Sequence, residues 1–112
     1  MTDKELGEAI LKGLDTCEES IYFYYSGPPY AHKACALGLG VVGAFGIEEL
    51  AEIIESADCR AYGATLARIS DKLDIDRGLA SSISQDHFDE KYTAREIAEN
   101  LIAGTYIYRN RR

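Results

Sequence analysis

Residues 31–45 read AHKACALGLGVVGAF, and the reading of this stretch decides the fold. It is apolar on every side of a helical wheel, the mark of a helix buried among other elements rather than lying on a surface. Gly38, Gly40, Gly43 and Gly46 each cost a helix roughly 1 kcal/mol relative to alanine. A helix that keeps them lets another backbone come close. The apolar run from Ala34 to Ile47 spans 14 residues with four glycines in it, too short to cross a bilayer.

Helices are expected on both sides of this stretch. Upstream, Thr2 and Glu5 form a capping-box pattern, and Leu6, Ala9, Ile10 and Leu14 recur at helical spacing, which predicts a helix ending between Asp15 and Glu19. The β-prone run Ile21-Tyr22-Phe23-Tyr24-Tyr25 then predicts an extended stretch or short strand, with a one-turn continuation of the first helix as the alternative, and Ser26-Gly27-Pro28-Pro29 predicts a turn. Downstream, Gly46 breaks the chain before a helix over 47–56 with Leu50, Ile53 and Ile54 on its stripe and Glu48 and Glu49 in its first turn. A further helix is expected over about 58–73, then a polar break at 74–78 and a short helix over 79–88. Thr93-Ala94-Arg95-Glu96 is a second capping box; Ile97, Ala98, Leu101 and Ile102 supply the buried face, and Gly104 ends the helix. The expected fold is mainly α: a compact single-domain bundle of about five helices over residues 1–112, with a short extended segment near residues 21–25 or 105–108.

Charge narrows the partners. The chain holds 12 Lys+Arg against 19 Asp+Glu, a formal charge of −7. Outside the tail Arg109-Asn110-Arg111-Arg112 the balance is 9 basic to 19 acidic, which argues against general nucleic-acid binding. Cys17, Cys35 and Cys59 are odd in number and irregularly spaced, unlike a disulfide framework. Met1 to Glu5 lacks a basic-then-apolar pattern. These features set the expectation of a cytosolic chain with reduced thiols and no membrane partner.

Several constellations offer chemistry. Gly38-Leu39-Gly40-Val41-Val42-Gly43 matches G-x-G-x-x-G with Asp58 about 20 residues on, yet the residues before it prefer helix to strand, so glycines for helix packing are the better reading. His32 and Cys35 share a helical face and, with Cys17 and Cys59, are the available donors for a zinc site or a Cys–His nucleophile, although no C-x₂-C pair is present. Asp74-Ile75-Asp76-Arg77-Gly78 opens like a calcium loop but puts its glycine one position early and Gln85 at the twelfth position. Asp86, His87, Asp89 and Glu90 cluster three carboxylates with one imidazole, suited to metal binding or acid–base work, or else forming a solvated helix end. Tyr22, Phe23, Tyr24, Tyr25 and Tyr30 are dense in a residue type enriched at interfaces, with alternate rings filling the core as the equal reading, and Tyr106 and Tyr108 extend the same composition. The segment 93–101 is also like the opening of a helix-turn-helix, but a β-prone run, Thr105-Tyr106-Ile107-Tyr108, stands where the recognition helix belongs.

Cys35-Ala36-Leu37-Gly38 opening an apolar helix, and the segment Ile83 through Phe88-Asp89 followed by Thr93, Glu96, Ile97-Ala98 and Leu101, resemble a family of small uncharacterised bacterial and phage proteins. The family's Asn of an Asn-Asp pair is replaced here by Phe88. The resemblance covers about a third of the chain and implies an intracellular helical domain of a mobile element; it transfers no catalytic residue.

The sequence thus sets three expectations. The first is a non-catalytic interaction domain, self-associating or binding a protein partner, with Tyr22, Tyr24, Tyr25, Tyr30, Gly38 and Gly43 as interface candidates and no cofactor. The second is a small-molecule or metal-dependent enzyme built on His32, Cys35 and the cluster Asp86, His87, Asp89 and Glu90. The third is a nucleic-acid-associated regulator using Arg95 and the arginine tail.

Overall fold

A computed structural model describes residues 1–21, 33–56 and 62–107. Six helices occupy most of the described chain, so the expected mainly α fold is what the structure shows. Gly46, with a φ of +99°, ends one helix and lets the next begin at once, as its place in the sequence predicts. Among the described residues, no helix is long and apolar enough to cross a membrane.

The first helix, α1 (Asp3–Leu14), begins where its capping box predicts: the Thr2 hydroxyl accepts from the Glu5 N–H, and the Glu5 carboxylate accepts from the Thr2 N–H. That second bond holds the Glu5 carboxyl below its usual range. The chain then makes a two-residue strand β1 (Glu18–Glu19), paired in parallel with β2 (Lys33–Ala34). Neither strand is where β propensity puts extended structure, at 21–25 or 105–108. Ile21 is not in a strand, 22–25 lie outside the described residues, and Thr105 to Ile107 form no strand.

The apolar stretch becomes α2 (Ala36–Phe45), with Ala36 to Val42 all buried, and it is the axis of the molecule. It packs against α1, against α3 (Ile47–Ser56), α4 (Tyr62–Leu73) and α5 (Arg77–Phe88). The last helix, α6 (Ala94–Ala103), carries the second capping box, stops at Gly104 in the left-handed conformation, and packs on α1. Leu6, Ile10, Leu37, Leu39, Val41, Leu50, Ile69, Leu73, Ile83, Ile97 and Leu101 form one continuous core.

The glycines of α1 and α2 serve the close approach that their sequence implies. A methyl at Gly13 would strike the Leu39 carbonyl, and one at Gly43 would strike the Ala9 carbonyl. These two contacts, four residues apart on each helix and in opposite order, make α1 and α2 antiparallel with their backbones touching at two successive turns. Gly7 does the same toward Ala98 of α6. The close approach of Gly43, which is half-buried, is therefore to α1 of the same chain, and Gly38 is buried. The G-x-G-x-x-G segment also lies inside α2, in helical backbone rather than in a phosphate-cradling loop. Asp58 lies outside the described residues.

Candidate functional site

The buried face of α5 runs Leu79-Ala80, Ser82-Ile83, Asp86-His87, three pairs at one helical spacing. Its apolar stripe therefore finishes in two titratable residues, each 1% exposed. The expectation of a solvated helix end holds for Asp89 and Glu90, which are exposed, and fails for Asp86 and His87. Asp89 accepts from Gln85 Nε2 at 2.9 Å on the outer face. The four-residue cluster is split by the helix itself and converges on no common point.

Asp86 and His87 serve two separate networks. The Tyr106 hydroxyl donates to Asp86 Oδ2 at 2.7 Å, and Ser82 Oγ lies 3.3 Å from the same hydroxyl. Burial, reinforced by the Asp86 carboxyl, pushes the Tyr106 phenol far above its ordinary range. Tyr106, which sequence left open between interface and core, is a core residue.

His87 reaches across to two other elements. Its Nδ1 accepts from the Ala36 N–H at 3.3 Å, and its Nε2 lies 2.5 Å from Glu19 Oε2. An acceptor role for Nδ1 assigns the proton to Nε2, so the imidazole donates to Glu19. The same Glu19 oxygen accepts from the Ala94 N–H at 2.9 Å. Ala36 opens α2 and Ala94 opens α6, so this one carboxylate–imidazole pair occupies N–H groups at two helix starts that have no partner within their own helices. Four elements, β1, α2, α5 and α6, meet at it.

Cys35 sits at the N-cap of α2. Burial pushes its thiol up to about 11, against the pull of the Gly38 and Leu37 N–H groups, and burial together with Glu18 also raises Cys17. Both are protonated thiols near neutral pH, lacking the lowered pKa of a nucleophile. Among the described residues no three His, Cys, Asp or Glu side chains are arranged to hold a metal ion. His32, Cys59, Tyr22, Tyr24, Tyr25, Tyr30, Tyr108 and the tail Arg109 to Arg112 lie outside the described residues, so the aromatic interface candidates and half of the Cys–His constellation are not placed.

A cleft of about 390 Å³ opens on the surface beside this buried network, lined by Lys91, Tyr92, Asn100, Thr105, Tyr106 and Ile107. The rings of Tyr92 and Tyr106 meet edge to face at 6.5 Å, and Lys91 lies over the Tyr92 ring. At its rim Ile107 is 86% exposed, the most exposed large hydrophobic side chain among the described residues. The sequence marks out neither the cleft nor Glu19, because the roles of both depend on contacts between distant segments. The buried pair is legible in principle, since Asp86 and His87 fall in register with Leu79 and Ile83. Compared with family models, curated proteins and solved structures, the chain matches none.

Proposed function

We propose that this protein works by contact with other protein surfaces rather than by catalysis, and that it assembles with a second copy of itself. The observation that carries this reading is exposed Ile107 at the rim of an open cleft on the same face, walled by the Tyr92 and Tyr106 rings and by the polar Lys91, Asn100 and Thr105. Such a knob and hole side by side are self-complementary under a twofold axis, because each copy's knob meets the other's hole. A buried apolar anchor in an aromatic pocket is also where interfaces concentrate their binding energy. The disposition of the titratable groups supports the same reading, since Asp86 and His87 are enclosed and bonded to structural partners.

Native mass spectrometry and sedimentation velocity test it. The expected species is a dimer of the 12.4 kDa chain, and Ile107→Asp is expected to weaken association at least about tenfold, the equivalent of about 1.4 kcal/mol, with the helical circular dichroism unchanged. A wild-type protein that stays monomeric at about 100 µM, about 5.5 kcal/mol of association, overturns the reading. So does a dimer indifferent to Ile107→Asp.

A further inference from the structure

We propose that His87 is an acid-released tie between α5 and the start of α2. Its two ring nitrogens are committed in opposite senses, donating to Glu19 through Nε2 and accepting from the Ala36 N–H through Nδ1. A proton added at Nδ1 changes one of these bonds and keeps the other. The Nδ1–H then faces the Ala36 N–H, donor against donor, while Nε2–H still donates to the Glu19 carboxylate. Two features favour placing the charge there: His87 lies in the last turn of α5, at the negative end of the helix dipole, and Glu19 becomes its counter-ion. The opposing feature is the positive start of α2, and it is this element that the added proton pushes away. Glu19 is 30% exposed along its side chain, which gives solvent a path to the pair.

Among the described residues, the other charged and titratable groups on the elements that meet here are turned outward or already bonded: Arg77 of α5 pairs with Asp71 at 3.7 Å, and Arg95 and Glu99 of α6 are exposed. On β1, Glu18 turns outward and pairs with Lys33 of β2 at 4.0 Å. On α5, Asp86 is bound by the Tyr106 hydroxyl and Asp89 by Gln85; Glu90, just beyond the helix, is exposed. At the start of α6, Glu96 is used by the Thr93 cap. At the start of α2, Cys35 is a thiol that burial keeps protonated. Acid therefore detaches α2 from α5 on one side only, leaving the Glu19–Ala94 bond to α6 in place. Because Ala36 lies just past the end of β2, the released end includes the anchor of the β1–β2 pair.

Nuclear magnetic resonance on the full chain, titrated from about pH 7.5 to about pH 5, tests this. The expected result is an Ala36 amide shift that follows the His87 ring with one midpoint, and Ala36 exchange about tenfold faster than its intrinsic pH dependence allows, while Ala94 keeps its protection. His87→Gln is expected to abolish the Ala36 step; if that variant does not fold, the wild-type titration decides alone. The proposal is overturned if His87 does not titrate while the protein is folded, if Ala36 does not follow it, or if Ala36 and Ala94 are released together. None of these readouts depends on whether the protein dimerises.

Discussion

Tyr106 places a phenol hydroxyl 2.7 Å from a carboxyl that is 1% exposed, and the two depend on each other. Removing the hydroxyl takes a donor from a buried acid, a change that typically costs more than the bond itself contributes. Tyr106→Phe is accordingly expected to destabilise the protein by about 2 kcal/mol, read as a lower urea midpoint at unchanged slope. An unshifted midpoint would show that the Asp86 carboxyl needs no help from this hydroxyl. Tyr106 also shows what sequence alone does not settle. A tyrosine in a β-prone, glycine-preceded segment reads equally as interface or core, and nothing local reveals that the segment folds back to lay its ring on Ser82 and Asp86.

Single elements carry their own test in the glycines of α2. Gly43 faces a carbonyl, which cannot move without moving α1, whereas a Cβ on Gly40 would meet only side-chain ends, Leu6 Cδ1 at 3.3 Å and Ile10 Cγ1 at 3.5 Å. Gly43→Ala is expected to cost about 3 kcal/mol from overpacking. Gly40→Ala is expected to stay within about 1 kcal/mol of wild type, the helix propensity gained offsetting the tighter contact. Chemical denaturation of the pair reads this directly, and equal losses at both sites would mean that the α1–α2 backbone contact is not where the glycines matter. Helices are the legible part of this fold, because capping and stripe are local signals: Thr2 with Glu5, Thr93 with Glu96, and Gly46 and Gly104 as stops all act where the sequence places them. The strands are not legible, because two-residue pairing of Glu18-Glu19 with Lys33-Ala34 stems from where α1 and α2 leave the chain ends and not from β propensity.

For the molecule as a whole, alkaline pH is the weak side. Cys35 is raised to about 11 and Tyr106 also upward, both chiefly by burial. A group whose folded pKa exceeds its unfolded value binds its proton more tightly in the folded state. Its contribution is complete below the unfolded pKa and is lost as pH rises through the folded one. For Cys35 that window runs from 9.0 to about 11, and Tyr106 extends the loss upward from 10.0. Unfolding free energy in reducing buffer is expected to fall by about 2 kcal/mol between about pH 8.5 and pH 10.5, and Cys35→Ala to flatten the lower part of that fall. A flat profile would mean that the thiol is solvated. The packing of Gly7 against Ala98 has a consequence of a different kind. It places one wall of α1 on a helix made only after α2 to α5. Until α6 arrives, α1 and α2 can pair but their remaining apolar face has nothing to close it. A chain lacking α6 is therefore expected to expose a hydrophobic face of α1 and to hold chaperones that the chain with α6 releases.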